Sequence, residues 1–312
     1  MDSLRIIFFG TPSFALEPLR IVLADQRYHI VAVVSQPDKP FGRDQITTPS
    51  PVARWAQEHG ISVYTPTTLK TEEVKNWMDM QSPDIALVVA YGKIIPQHLL
   101  SIPRYGFINL HGSLLPQYRG ASPIQEALLQ GDRETGITIM KMNEKMDEGD
   151  IIAQQRIPID STDTYLTLSD KLSFLGAQML GDVVEQYVQH KIIPVPQDHT
   201  KATYCTLITK EMGQIGWEKE TAIEIERKIR AFTPWPGVFT FVDGKRLKIL
   251  QASVKSMISD LPPGSLIPPD GIQTRDGILV PTLVQPEGKK PMSFADFLRG
   301  KRGLSIIFSS SL

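Results

Sequence analysis

Cys205 is the only cysteine in 312 residues. No intramolecular disulfide can form, and no cysteine-based zinc finger can be assembled. A lone thiol fits a reducing compartment, so a cytoplasmic location is expected. Long hydrophobic runs are also missing. Segments such as 85–90, IALVVA, fall far short of the ~20 residues a membrane span needs, so no membrane partner is expected. The opening MDSLRIIFFG lacks a basic n-region and a small-residue cleavage site, and it reads as a first strand rather than a signal peptide. Neither GxGxxG, GxxxxGK[ST] nor GxSxG occurs, which disfavours a nicotinamide dinucleotide fold and excludes a P-loop and a nucleophile elbow. His29, His59, His98, His190 and His199 have no metal-ligand spacing with one another or with Cys205, so no metal is expected.

What is present in the first ~200 residues is alternation. Segments 5–9, 30–35, 61–64, 85–90 and 106–111 are short and rich in Ile and Val, and read as strands. Between them, 14–24, 50–59 and 72–80 carry apolar residues at helical spacing, with Ser50-Pro51 as an N-cap followed by proline at the first helical position. Nearly continuous apolar strands alternating with helices predict an α/β fold, an open and mostly parallel Rossmann-like sheet covered on both faces. Ligands bind such sheets outside the carboxyl ends of the strands. A long amphipathic helix is predicted over 164–189, with Leu166, Leu168, Leu172, Leu175, Leu180, Val183, Val184 and Tyr187 as its apolar set.

Residues 190–206 contain prolines and no helical period, and read as a linker between a domain spanning 1–189 and another spanning 207–312. Beyond them a helix over 221–231 precedes five short strands, 238–242, 247–252, 264–267, 271–274 and 278–285, with turns at Asp243-Gly244, Pro262-Pro263 and Asp276-Gly277. That pattern predicts a small OB-like β-barrel. The serine-rich tail at 309–311 is expected to fray. Charge divides along the chain. From residue 201 on there are 16 Lys and Arg against 11 Asp and Glu, whereas residues 1–200 hold 17 against 23. A basic C-terminal third hints at a polyanionic partner.

Two places could carry chemistry. In Gly106-Phe107-Ile108-Asn109-Leu110-His111, Asn109 and His111 lie two apart and share one strand face. An amide and an imidazole at a strand end suit stabilisation of an oxyanion, although local loop hydrogen bonds would account for both side chains equally well. In Met146-Asp147-Glu148-Gly149-Asp150, Asp147 has the spacing of a turn aspartate, and Glu148 and Asp150 read as solvated or capping acids.

Taken in order, FFGTPSFALEPL, SQPDKPFGR…PSPV, AYGKIIP, INLHGSLLPQYRGASPIQ, MNEKMDEGDII, KATYCTLITKEMGQIGW, IRAFTPWPGVF and QPEGKKPMSFADFLRG resemble the methionyl-tRNA formyltransferases over almost the whole chain. The NLHGSLLPQYRGA stretch is specific to enzymes that use 10-formyltetrahydrofolate. The PDKPFGR…PSPV loop and the RAFTPWPG helix end favour the member acting on tRNA. The resemblance implies a catalytic trio of Asn109, His111 and Asp147. It implies a folate site lined by Ser113, Leu114, Leu115 and Pro116, with Ala90, Tyr91, Gly92, Lys93, Ile94 and Ile95 receiving the pterin through backbone groups. It further implies 10-formyltetrahydrofolate as cosubstrate, initiator methionyl-tRNA as partner, no metal, and a C-terminal barrel that holds the tRNA, here in a protein expected to act as a monomer.

Arg43, Lys245, Arg246 and Lys248 are the expected tRNA contacts. Lys245 and Arg246 are adjacent in a strand and should point to opposite faces. One departure stands out: after Gly42-Arg43 the family loop is often lysine-rich, whereas this chain reads Asp44-Gln45-Ile46-Thr47-Thr48. The competing readings are a sugar-nucleotide formyltransferase, an RNA-binding protein with an inactive α/β domain, and a Rossmann dehydrogenase. The first is opposed by the PDKPFGR…PSPV loop, the second by the intact trio, and the third by the missing glycine fingerprint.

Overall fold

The computed structural model describes residues 3–41, 46–257, 259–269, 271–301 and 307–310. The chain divides into two compact units, one of residues 1–123, 134–158 and 169–205, the other of residues 124–133, 159–168 and 206–312.

The first unit is built on a seven-stranded sheet in the order Ile151–Pro158, Glu134–Lys141, Phe107–His111, Ile85–Val89, Leu4–Gly10, Tyr28–Val34, Val63–Tyr64. The last five run parallel, and the first two are antiparallel. Ile85–Val89 and Phe107–His111 are buried at every position, as strands covered on both faces must be. The expected open, mostly parallel α/β sheet is therefore present. The antiparallel edge was not legible. Ile151–Pro158 carries Gln154, Gln155 and Arg156 in succession, all exposed, so it lacks the apolar alternation of a strand with one buried face.

Register decides where ligands can meet the sheet. Gly10 pairs with Val89, and Val89 with Leu110, so three strand ends finish level. Gly10, Ala90 and His111 thus emerge along one rim. Ser50 caps the Pro51–Glu58 helix as predicted, its hydroxyl accepting from the Ala53 N–H at 3.0 Å. The long helix spans Tyr165–Val188, and Leu168, Leu172, Leu175, Leu180 and Val184 are buried at i, i+4 and related spacings. Leu166, counted in that face, is instead half exposed, because two residues before the buried Leu168 is roughly the opposite side of a 3.6-residue turn.

Residues 190–205 are fixed to the first unit rather than loose. Ile151 and Val195 exchange backbone hydrogen bonds at 2.8 Å each way. Tyr204–Cys205 pairs in parallel with Arg119–Gly120, and Gln197 is buried. Pro194 and Pro196 cannot donate to a ladder, so this segment is held largely by side chains and single bridges, which leave no periodic signal.

In the second unit Thr221 and Glu224 form a capping box that starts the Ala222–Phe232 helix. A sheet follows in the order Val238–Val242, Lys245–Lys255, Ile278–Pro286, Gly271–Gln273, Leu266–Ile267, with Met292–Ser293 paired to Ile278–Pro286. Ser309, the first residue of the tail expected to fray, helps close it together with the two residues before it. Ile307 bridges Ser265, next to the Leu266–Ile267 edge, and Ser309 bridges Phe241 on the Val238–Val242 edge. Between them Phe308 is buried beside Trp217 and Phe294, with ring centroids 6.1 and 6.0 Å away. The Trp217 indole N–H donates to the Thr240 hydroxyl at 2.9 Å. Serine composition suggested a solvated end, but the buried Phe308 just before Ser309 anchors it. Phe308→Ala should destabilise this unit by about 3–5 kcal/mol, the usual cost of emptying a buried phenylalanine site. Urea unfolding followed by tryptophan fluorescence measures it.

Candidate active site

Asn109 and His111 lie at the carboxyl end of the Phe107–His111 strand, both nearly buried. The ring of His111 is held from both sides. Its Nε2 is 3.0 Å from the Tyr118 carbonyl oxygen, and its Nδ1 is 3.7 Å from Asp147 Oδ1. A carbonyl can only accept, so Nε2 carries a hydrogen. Nδ1 then carries one only when the ring is cationic. In that state Nδ1–H is the donor left for a ligand oxygen, with the Asp147 carboxylate placed to balance the charge. Asn109 makes no side-chain hydrogen bond to another described residue although it is only 9% exposed. A nearly buried amide without a protein partner is available to a ligand, since such groups are rarely left unsatisfied. The structure therefore brings all three predicted catalytic residues to one strand end.

Asp147 is both the turn residue and the His111 partner. Its φ is +53°, a left-handed conformation that aspartate tolerates better than most residues. Its second oxygen accepts from the Gly120 N–H at 2.8 Å. Gly120 has φ +125°, and a Cβ there would lie 2.1 Å from the Cys205 carbonyl oxygen, so only glycine can bring this N–H to the carboxylate. Glu148, read as a solvated acid, faces Arg119 at 3.4 Å and Lys145 at 3.5 Å.

The loop from Ser113 to Pro116 is clamped from the neighbouring antiparallel strands. Thr138 Oγ1 donates to the Ser113 carbonyl at 2.6 Å and accepts from the Leu115 N–H at 3.0 Å. Gln154 Nε2 donates to the Leu115 carbonyl and to Thr138 Oγ1, both at 2.8 Å. Ser113 is fully buried and donates to the Gln117 carbonyl, so its hydroxyl serves the loop itself. Thr138 and Gln154 escaped sequence reasoning because Thr138 sits inside the apolar run of the internal strand Glu134–Lys141 and Gln154 on the polar edge strand Ile151–Pro158, and neither pattern marks a clamp.

The second expected folate segment divides. Ala90 has φ +49° and Gly92 has φ +79°, which turns the chain sharply off the Ile85–Val89 strand. The Tyr91 side chain points into the core, its ring 5.4 Å from Phe9, and burial pushes its phenol up to about 12. Its carbonyl already accepts from Thr11 Oγ1 at 2.9 Å and Gln36 Nε2 at 2.8 Å. Lys93 Nζ donates to the Pro66 and Thr67 carbonyls. Ile95 is buried, whereas Ile94 is exposed. Among the described residues, no group of three or more His, Cys, Asp or Glu could hold a metal ion, and no helix is long and apolar enough to cross a membrane.

Of the expected tRNA contacts, Arg43 lies outside the described residues. Its loop is flanked by the antiparallel pair Lys39–Phe41 and Ile46–Thr48. In the Lys245–Lys255 strand, Leu247 and Ile249 face the barrel core, so Arg246 and Lys248 face away from it and Lys245 is exposed at the turn. The Arg246 guanidinium lies 3.5 Å from the centroid of the Phe239 ring.

Residues 4–184 match the formyl transferase family, and residues 207–302 match its C-terminal domain. The chain is 44% identical to a methionyl-tRNA formyltransferase of Roseiflexus castenholzii over 96% of its own length and 97% of the relative's. It is 43% identical to one of Dehalococcoides mccartyi, with 97% of each chain covered. Among solved structures, HypX from Aquifex aeolicus in complex with tetrahydrofolic acid aligns at TM-score 0.64 and 16% identity, covering 97% of this chain and 48% of that one. The sugar 3N-formyl transferase WlaRD, solved with dTDP and 5-N-formyl-THF, aligns at TM-score 0.65 and 18% identity, covering 93% and 100%. At these identities the structural likeness establishes the fold, and the sequence matches establish the kinship: the chain belongs to the formyl transferase family.

Proposed function

We propose that the protein transfers the formyl group of 10-formyltetrahydrofolate to the α-amino group of initiator methionyl-tRNA, with Asn109, His111 and Asp147 as its catalytic residues. The observation that carries this reading is the His111 imidazole, fixed between the Tyr118 carbonyl and Asp147 beside the unpartnered Asn109 amide. The names of the full-length relatives support the choice of acceptor.

When bound, the folate supplies a formyl group on a nitrogen that can leave. The methionyl amine attacks the formyl carbon, a carbon–nitrogen bond forms, and the bond to the folate nitrogen breaks. Asn109 Nδ2–H and His111 Nδ1–H donate to the formyl oxygen as it gains negative charge. The attacking amine must shed a proton and the departing nitrogen must gain one. Asp147 would accept the former, directly or through water, and that same proton, passed on through water, would satisfy the departing nitrogen. Ser113, Leu114, Leu115 and Pro116, with the turn at 90–95, form the folate side of the site. Backbone groups there would read the pterin, since the Tyr91, Lys93 and Ile95 side chains are occupied elsewhere. The reading puts the protein in the cytoplasm as a monomer, where aminoacylated tRNA and reduced folate meet.

The test offers the purified protein 10-formyltetrahydrofolate with methionyl-tRNA and, separately, a UDP-amino sugar. Formylation of the sugar alone would reject the tRNA reading. Phosphate contacts release counterions, so KM for tRNA should rise steeply with salt while KM for the folate stays nearly constant. Changing Lys245 and Lys248 together to glutamine should raise KM for tRNA and shallow that salt dependence by about one unit of log–log slope for each phosphate left without its lysine. An unaltered slope would remove these lysines from the interface.

A further inference from the structure

Asp147 is held in its left-handed turn by a side chain from a segment with no periodic signal. Gln197 Nε2 donates to the Asp147 carbonyl at 2.8 Å and to the Gly149 carbonyl at 2.7 Å. Both hydrogens of one amide are thus spent on the two carbonyls that flank the catalytic turn. The other end of the amide is fixed as well. Gln197 Oε1 accepts from Arg119 Nε at 3.1 Å and from Arg119 Nη2 at 2.8 Å. Arg119 is only 1% exposed, and it immediately precedes Gly120, whose N–H donates to Asp147 Oδ2.

These hydrogen bonds close a ring. Starting at the Asp147 carboxylate, it runs through the Gly120 N–H, along the chain to the Arg119 guanidinium, across to Gln197, and back to the Asp147 carbonyl. The remaining charged groups around the guanidinium are Glu148 at 3.4 Å and His199, whose Nδ1 lies 3.1 Å from Nη2. Lys145 and His199 also face Glu148, at 3.5 and 3.9 Å. A left-handed aspartate persists only where its surroundings over-determine it. Here the carboxylate is set by Gly120, and the backbone that carries it is set by Gln197.

We infer that Gln197, oriented by Arg119, is a positioning residue for the formyl-transfer reaction, holding the 147–149 turn so that Asp147 faces His111. Glutamine is suited to the task because one amide offers two donors to the paired carbonyls and an acceptor to the arginine fork. Glutamate has the same shape and would keep the arginine contact. It would also point oxygen at two carbonyl oxygens and push the turn away. The inference rests on the formyl-transfer reading given above, and the unaltered enzyme in the same assay tests that reading separately.

The experiment is a double-mutant cycle on the full-length protein, measured as single-turnover formylation of methionyl-tRNA. Gln197→Glu should lower kcat by about 10–10²-fold, because a misplaced catalytic group costs that much without loss of its chemistry. KM for tRNA and for the folate should each stay within about twofold. In an Asp147→Asn background the same substitution should change kcat by less than about twofold, because the group it positions is already gone. Gln197→Met removes the hydrogen bonds without adding charge and should behave alike. Equal losses in both backgrounds, or wild-type kcat in either folded single variant, would overturn the assignment. Failure of both Gln197 variants to show a cooperative thermal transition would make the residue structural and overturn it equally.

Discussion

Asn109→Ala is expected to lower kcat by about 10²–10³-fold, the usual effect of removing one oxyanion donor. KM for either substrate should hardly move, since the hydrogen bond strengthens only as charge develops on the formyl oxygen. The prediction is sharpened by what Asn109 does not do. Its amide bonds to no other described residue, so removing it breaks no internal network, and the loss of stability should stay below about 1 kcal/mol. A catalytic defect with a nearly unchanged melting temperature separates an oxyanion donor from a loop-stabilising amide. Near wild-type kcat would take Asn109 out of the mechanism.

Asp147→Asn is expected to lower kcat by about 10²–10⁴-fold, the range for loss of a positioned acid–base group. Asparagine is close to isosteric, adopts positive φ readily, and can still accept from the Gly120 N–H through its carbonyl oxygen. The turn should therefore survive while the charge opposite His111 disappears. If Asp147 accepts the proton of the attacking amine, the variant should lose kcat while KM for either substrate stays nearly constant, since the group acts only as the bond forms. An unchanged rate would leave Asp147 a turn residue only, a role its φ of +53° would by itself explain.

The three proposed catalytic residues were legible in different degrees. Asn109 and His111 share a strand face by simple alternation, and the strand was evident from its apolar run. Asp147 is 36 residues from His111 in sequence and reads as a turn. Only the resemblance singled it out, and no local pattern joins it to the imidazole. The parts that hold the trio were illegible for a common reason. Thr138, Gln154, Arg119 and Gln197 act through long-range hydrogen bonds to backbone groups or to one another. Such contacts impose no period on the residues around them. Arg119 is fully buried, which is unusual for arginine and invisible without coordinates. In the barrel the hydrophobic alternation revealed the strands but not the closure, since the short Ile306-Ile307-Phe308 run carries no period to show which of its residues is buried.

That closure bears on how the protein can be handled. The segment around Phe308 occupies both outer strands of the C-terminal sheet at once, through Ser265 and Phe241. Proteolytic clipping ahead of residue 307 would free the backbone groups of two edges together, and open edges are templates for pairing between molecules. A preparation trimmed there should lose solubility before it loses the proposed catalytic trio, which lies in the other unit. Affinity tags joined close behind residue 310 would tug on the same latch, so a tag placed at the opposite end of the chain is the safer design.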